Sequence, residues 1–304
     1  MPLDSPTLKR MAIQLATEYC NLCSEVIAPS ESIRDLLIER GVTVPVNAIP
    51  TGIDTDFFSS GDGARFRLSA GIPENALLIG HVGRLAPEKN LRFLAEAAGI
   101  FLKGEPDAAF LIVGEGDEGK EMLKILAEAG VADRVHRPGQ LTGPHLVDAY
   151  AAMEVFVFSS QSEIQGLVLA EAMAAGKPVL ALDGPGVREI VIDGANGFLL
   201  PGGASAGEFA GALSALTADE GAMRRRSGMA RSSAVDFDHH HCAREVTDLY
   251  ERLIREKPIR REEERMPWDP FLNSLEIEWD LFAAKMSAAA TGLMEPMTTE
   301  VKGD

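Results

Sequence analysis

Between residues 77 and 200, short apolar runs alternate with longer stretches whose apolar positions recur every three or four residues. The short runs include "LLIGHV", "AAFLIVG", "MEVFVF" and "KPVLAL", whereas "NLRFLAEAAGIFLK" and "EGKEMLKILAEAG" have a helical period. This order predicts repeated strand–helix units. Because the strands are continuously apolar, we expect both faces of one parallel sheet to be covered by helices.

The first 52 residues predict a helix ending near Cys23, a strand, a helix over "ESIRDLLIERG" that Ser30 caps, and a second strand. Two short strands do not form an independent domain. Residues 1–52 are therefore interpreted as the remnant of an N-terminal domain. The turn-rich "PTGIDTDFFSSGDG" predicts a linker into the main domain, residues 53–235.

The chain after Pro201 is helical and more polar. Residues 236–257 predict a packing helix whose apolar face holds Val246, Leu249, Leu253 and Ile254. Residues 258–304 form a tail of unknown structure. Its apolar residues fit either a short helix that docks onto a partner or a partly disordered segment.

Composition narrows the class of protein. A net charge of -17 argues against a nucleic-acid partner, because phosphate binding needs clustered cations. Three cysteines are too few for a disulfide framework, so a cytoplasmic location is the simpler expectation. The chain has no apolar stretch of spanning length and no signal-peptide pattern.

A zinc site is a weak alternative. Cys20 and Cys23 have metal-ligand spacing, and "DHHHC" offers further ligands, but consecutive histidines on a helix point in different directions. We therefore expect no metal.

Two cations follow the first strand of the main domain. Arg84 and Lys89 lie in "HVGRLAPEKN", with Gly83 allowing a tight turn and a helix beginning near Asn90. In an acidic protein this pair suits an anionic ligand such as a diphosphate. The alternative is a solvated loop in which Glu88 pairs with Lys89.

The stretch "SEIQGLVLAEAMAAG" holds two carboxylates in an otherwise apolar run. Gly166 precedes a predicted helix, so the backbone N–H groups of Gly166, Leu167 and Val168 are expected to be free at the positive end of the helix dipole. Glu163 before the helix and Glu171 inside it are expected to face one crevice, where a carboxylate accepts hydrogen bonds from sugar hydroxyls. The alternative is that both glutamates are structural.

Several segments occur in a recognisable order: "GRLAPEKN", "LIVGEGDE", "VHRPGQL", "EIQGLVLAEAMAAGKPVLA" and "VREIVIDGANGFLL". Over about residues 20 to 255 the chain resembles the family 4 (group 1) retaining glycosyltransferases of the GT-B fold. The resemblance implies an α/β chain with one Rossmann-like nucleotide-sugar domain and an incomplete second Rossmann-like domain.

The resemblance also implies roles for charged residues. Arg84 and Lys89 match the pair that holds the donor diphosphate. Glu171 matches the carboxylate that binds the ribose hydroxyls. Glu163, the one catalytic candidate, matches the carboxylate that positions the transferred sugar.

Uncharged groups complete the implied donor site. Leu141 matches a position near the base, and the amides of Gly166, Leu167 and Val168 match the loop under the sugar and phosphates. The family resemblance implies no metal at the donor and no cofactor, since protein cations and helix ends stabilise the charge.

The implied activity is hexose transfer from a UDP-sugar or GDP-sugar with retention of configuration. "EIQGL" is similar to "ETQGL" in enzymes that glycosylate diacylglycerol, which favours a lipid acceptor and contact with the inner face of the membrane. Sugar, polyprenyl-linked and small-molecule acceptors remain open.

The chain departs from the family at its N-terminus, where only about 50 residues stand in place of a domain of about 150 residues. A partner chain that supplies the missing domain is therefore one interpretation. The second hypothesis is a non-catalytic sugar-nucleotide-binding fragment or pseudoenzyme. A dehydrogenase is a distant third, since no G-x-G-x-x-G follows an early strand.

Overall fold

The structure, a computed structural model, describes residues 6–256, with side chains from residue 10 onward. The predicted docking helix of the tail lies outside the described residues. The helices are α1 Pro6–Asn21, α2 Glu31–Glu39, α3 Thr55–Ser59, α4 Gly63–Ala70, α5 Leu91–Gly104, α6 Glu118–Glu128, α7 Gly143–Ala152, α8 Leu167–Ala174, α9 Ala206–Thr217, α10 Glu220–Ala234 and α11 His239–Glu256. The strands are β1 Val26–Ala28, β2 Val46–Ala48, β3 Leu77–Val82, β4 Ala108–Val113, β5 Val135–Gly139, β6 Val155–Phe158, β7 Val179–Leu182 and β8 Gly197–Leu200.

The central feature is a six-stranded sheet with the order β5-β4-β3-β6-β7-β8. Every pair of neighbouring strands is parallel, which confirms the predicted strand–helix units. The chain leaves β3 toward one edge of the sheet and returns to β6 to build the other edge. The crevice between β3 and β6 is therefore the topological switch point, where ligands bind in open sheets of this kind.

Both faces of the sheet are buried, as the continuous apolar runs predicted. Phe156 and Phe158 belong to an apolar cluster with residues of α4, α7, α8 and α10. Val155 and Val157, the alternating residues of the same strand, belong to a second cluster with residues of α5, α6 and α9. Successive strand side chains point to opposite faces, so the two clusters are the two helical layers.

The N-terminal segment forms a separate two-stranded parallel sheet of β1 and β2. Ser30 caps α2 as predicted, since its Oγ accepts from the N–H of Ile33 at 3.3 Å. The same hydroxyl donates to the carbonyl of Ile164 at 2.7 Å. The carboxylate of Glu189 accepts from the first two N–H groups of α2 at 2.7 and 2.9 Å. This segment thus forms hydrogen bonds with the loops after β6 and β7. The domain boundary at residue 52 stays a prediction.

The turn-rich stretch at 50–63 contains a short helix, α3, that the sequence analysis missed. Asp54 caps it by accepting from the N–H of Phe57 at 2.8 Å. Phe58 meets the ring of Tyr150 edge-on, with centroids 5.7 Å apart. The stretch therefore packs on the main domain, because its aromatic residues find apolar surface there.

Helix α11 buries a narrower face than predicted. Cys242 and Leu249 are buried, and Val246 and Leu253 are half-buried. Ile254, predicted for the same face, is 58% exposed. The reason is geometric: adjacent residues on a helix lie about 100° apart, so Leu253 and Ile254 cannot both follow one narrow stripe.

Candidate functional site

Polar residues collect at the switch point, where the loops after β3, β4, β5 and β6 meet. A cavity of about 370 Å³ opens beside β3. Its lining residues come from the ends of three neighbouring strands and the helix after them: Val82, Gly83, Arg84, Val113, Gly114, Glu115, Gln140, Leu141 and Leu146. The structure thus brings predicted Arg84 and Leu141 into one cavity, although they are far apart in the chain.

The two predicted cations take different partners. The side chain of Arg84 is 72% exposed, and its guanidinium pairs with Glu88, one helical turn along the loop. Lys89 reaches across the crevice instead, and its Nζ donates to Oε1 of Glu163 at 2.6 Å. The alternative pairing of Glu88 with Lys89 is therefore wrong, because Glu88 pairs with Arg84 and Lys89 pairs with Glu163.

The Lys89–Glu163 pair is enclosed. Its side chains are 20% and 12% exposed, respectively, and it joins the loops on the two sides of the switch point. Charges removed from water interact strongly, and each needs the other to offset its desolvation. Two predicted site residues thus hold one another in place.

Two serines after β6 support the turn that carries Lys89. The Oγ of Ser159 donates to the carbonyl of Lys89 at 2.8 Å, and the Oγ of Ser160 donates to that of Glu88 at 3.3 Å. Asn90, in the left-handed conformation with φ +54°, donates from Nδ2 to the carbonyl of Ser159 at 3.4 Å. The sequence motifs do not single out these residues, although small polar side chains directly after a buried strand are a signal for them.

Gly166 shapes the start of α8. Its φ of +67° is left-handed, and an added Cβ would lie 3.1 Å from Leu169 Cδ1 and 3.3 Å from the carbonyl oxygen of Gly186. The backbone N–H groups of Gly166, Leu167 and Val168 have no hydrogen-bond partner within residues 6–256. These donors and the helix dipole create a positive potential beside Glu163.

Glu171 lies one turn inside α8 and forms a hydrogen bond with a buried tyrosine. Its Oε2 accepts from the hydroxyl of Tyr150 at 2.7 Å. Burial raises the pKa of Glu171, and the Tyr150 hydrogen bond lowers it. Glu163 and Glu171 thus have separate protein partners, so their facing one crevice stays a prediction. Tyr150 was missed because it lies 21 positions from Glu171 on another helix.

His81 is a second buried residue that the sequence analysis missed. Its Nδ1 donates to the carbonyl of Val157 at 3.2 Å, and its Nε2 has no partner within the described part of the chain. The ring stacks near Phe156 and Phe158, with centroids 6.3 and 6.1 Å away. Burial lowers the pKa of His81 to about 4, and the nearby charge of Lys89 also lowers it, while the bond to Val157 raises it.

The lowered pKa of His81 predicts that the protein loses stability in mild acid. As the pH falls below about 6.5, this histidine becomes protonated in the unfolded chain. In the folded chain it stays neutral until about pH 4. The free energy of unfolding therefore falls between these values. His81→Gln stays neutral, so the stability difference between wild type and variant should shrink as the pH falls. Urea unfolding across this range measures it, and a constant difference would contradict the prediction.

No group of three or more histidine, cysteine, aspartate or glutamate side chains within residues 6–256 is placed to hold a metal ion. Among the helices described, none has the length and apolar character needed to cross a bilayer.

Comparison with known proteins places the site in a family context. The glycosyl transferases group 1 family matches residues 64–232. A D-inositol 3-phosphate glycosyltransferase of Nocardia farcinica is 33% identical over 219 residues, 69% of this chain and 48% of that protein. A second protein of the same name, from Kribbella flavida, is 34% identical over 63% of this chain and 47% of its own length. The chain spans about half the length of the curated relatives it matches.

Solved structures share the fold. The HepE protein of Anabaena, crystallised in complex with UDP and glucose, has a TM-score of 0.72 at 25% identity, covering 80% of this chain and 68% of that one. Sucrose-phosphate synthase from Thermosynechococcus elongatus has a TM-score of 0.70 at 25% identity, covering 83% and 64%. The predicted GT-B type of Rossmann-like fold and the predicted family are confirmed.

Proposed function

Given that the chain belongs to the group 1 glycosyltransferases, we propose that its site binds a nucleotide diphosphate sugar and that the protein transfers the hexose with retention. In this reaction the bond between the anomeric carbon and the diphosphate oxygen breaks. A new bond forms to an acceptor hydroxyl, which loses its proton. Negative charge develops on the departing diphosphate, so catalysis requires positive groups placed beside it.

The observation that carries this proposal is the enclosed Lys89–Glu163 pair at the switch point. Glu163 lies three positions before Gly166, where the first amides of α8 have no partner among the described residues. Lys89, Arg84 and these amides are the groups that stabilise the leaving diphosphate. Glu163 accepts hydrogen bonds from the sugar and positions its anomeric carbon over the same groups. An oxocarbenium-like transition state separates charge in this direction.

The nucleoside occupies the neighbouring cavity. Leu141 lines this cavity, and its apolar side chain covers the base. Glu171, from α8, accepts hydrogen bonds from the ribose hydroxyls. UDP is the nucleotide that we propose first, because the structurally similar HepE protein was crystallised with UDP and glucose. GDP is the alternative, and one titration series compares both.

The proposed acceptor is supported by the names of the relatives and not by the geometry of the site. The relatives from Nocardia and Kribbella are named for D-inositol 3-phosphate, which supports a phosphorylated polyol for this chain. The diacylglycerol and membrane contact suggested by "EIQGL" stay a prediction. Supplying either acceptor to the same assay decides between them.

An exposed surface favours a second hypothesis, that this chain binds the donor and needs another segment for transfer. Within the described residues, β1 and β2 pair only with each other. Helix α1 exposes Met11, Leu15 and Tyr19, which recur every four residues, at 61%, 48% and 65%. An apolar stripe of this kind is typical of a contact surface. We propose that a further α/β segment covers it, from a longer protein or from a partner chain.

Calorimetric titration tests the donor site first. Wild type is expected to bind UDP or GDP, and Glu171→Ala and Arg84→Ala are each expected to bind about 10- to 100-fold more weakly, since charged hydrogen bonds contribute about 1.5–3 kcal/mol. Arg92→Ala, which removes an exposed cation outside the site, is the matched control. Absence of nucleotide binding by wild type would overturn the proposal.

Turnover is then measured with a UDP-hexose and each acceptor, with and without an N-terminal half from a relative. The anomeric configuration of the product, read by proton NMR coupling, tests retention. Activity only with the added half would establish the second hypothesis.

A further inference from the structure

We propose that Tyr150 is a positioning residue that fixes the carboxylate of Glu171 against the ribose and thereby sets a preference for ribonucleotides over deoxyribonucleotides. The inference rests on the proposed function, because it takes Glu171 as the ribose ligand. It adds a residue on a different helix, α7, that does not itself touch the donor.

The hydroxyl of Tyr150 has one partner among the described residues. The side chain is fully buried, and its Oη donates to Oε2 of Glu171 at 2.7 Å. Phenylalanine would fill the same apolar space without bringing a polar group into the core, and a buried hydroxyl without a partner is costly. The role of the hydroxyl is therefore to hydrogen-bond the carboxylate of Glu171.

The ring of Tyr150 is clamped on two sides. Phe58 of α3 meets it edge-on at 5.7 Å with an angle of 79°, and Phe156 of β6 lies 5.8 Å away at 42°. Three elements of the fold thus determine where the hydroxyl lies. A clamped aromatic side chain is a rigid anchor, because it loses little further freedom when a ligand binds.

This anchor reduces the freedom of Glu171. The last torsion of a glutamate is broad, so an unsupported carboxylate samples many orientations. With Oε2 held by Tyr150, the orientation of the carboxylate is fixed, and Oε1 has no protein partner among the described residues. A ribose presents two adjacent hydroxyl donors, which a carboxylate of fixed orientation distinguishes from a deoxyribose.

Tyr150 remains a donor throughout the neutral range. Burial raises its pKa well above the ordinary value, and the charge of Glu171 raises it further. The direction of the hydrogen bond is therefore fixed, and the carboxylate is always the acceptor.

The test compares UDP with 2′-deoxy-UDP on the full chain by calorimetry. Wild type is expected to prefer UDP by about tenfold or more. Tyr150→Phe should bind UDP about 3- to 10-fold more weakly, while its affinity for 2′-deoxy-UDP changes by less than about twofold. Tyr250→Phe, which removes a hydroxyl from a 56%-exposed tyrosine, is the matched control and should resemble wild type.

The outcomes separate the two claims. If wild type binds UDP and Glu171→Ala binds it about 10- to 100-fold more weakly, the donor site stands. An unchanged ribose preference in Tyr150→Phe then overturns this inference alone. An equal loss for both nucleotides indicates a merely structural role and also overturns it. If wild type binds neither nucleotide, the proposed function fails and the inference with it. If Tyr150→Phe does not fold, Phe58→Leu replaces it, because this variant loosens the packing around Tyr150 and keeps the hydroxyl. A reduced ratio of UDP to 2′-deoxy-UDP affinity in Phe58→Leu would support the inference, and an unchanged ratio would overturn it.

Discussion

Replacing Lys89 with alanine is expected to weaken UDP binding about 100-fold and to lower the free energy of unfolding by about 3 kcal/mol. Binding falls because the diphosphate loses a cation. Stability falls because the carboxylate of Glu163, 12% exposed, is left without its partner. Calorimetry with UDP and urea unfolding measure the two effects on the same protein.

A double variant separates the two effects. Lys89→Met combined with Glu163→Gln removes both charges at nearly constant volume, so most of the lost stability should return while UDP binding stays weak. Arg224→Ala removes one member of a fully solvated ion pair and should change stability by less than about 0.5 kcal/mol. Recovery of UDP binding in the double variant would contradict the assigned role of Lys89.

A larger loss of stability is expected when Arg67 is replaced by leucine, about 3–5 kcal/mol. Arg67 is 7% exposed, and its guanidinium donates to the carbonyl of Ala152 and to the turn before β3 and pairs with Glu154 at 2.7 Å. Its removal takes this donor from the carbonyl of Ala152 and from the carbonyls of the turn, and it leaves the partly buried carboxylate of Glu154 with only the N–H of Leu78 among its hydrogen-bond donors in the described residues. Thermal and urea unfolding measure the loss.

Two controls sharpen this prediction. Arg67 meets β3 at the end where the strand begins, opposite the switch-point loops, so the molecules that still fold should bind UDP with unchanged affinity. Lys124→Ala, on the exposed side of α6, should leave stability nearly unchanged. A fully stable Arg67→Leu protein would contradict the prediction, because it would show that the N–H of Leu78 and solvent satisfy the carboxylate of Glu154.

The sequence predicted the fold well because its signals are local and repeated. Continuous apolar runs identified the parallel strands, and Ser30 and Gly166 marked where helices begin. The short helix α3 was missed because its Asp54 cap and two phenylalanines sit among turn-forming residues. Its stability comes from packing on the main domain, which no local pattern reveals.

The sequence predicted individual residues of the candidate site but not the ion pairs and hydrogen bonds between them. Lys89 and Glu163 were both chosen, yet they lie 74 positions apart and nothing local indicates that they bond. The alternative drawn from the local sequence paired Lys89 with Glu88, whereas in the structure Glu88 pairs with Arg84. Tyr150 and His81 looked like ordinary core residues. The roles of these two residues depend on which groups the order of the strands places beside them.

The enclosed Lys89–Glu163 pair also bears on association kinetics. Because Glu163 already neutralises Lys89, the field far from the site is set mainly by the whole chain, which carries a net charge of -17. The anionic nucleotide sugar of the proposed function is therefore repelled at long range by the net negative charge of the chain. Added salt screens that repulsion, so the association rate constant should rise with ionic strength, the reverse of electrostatic steering.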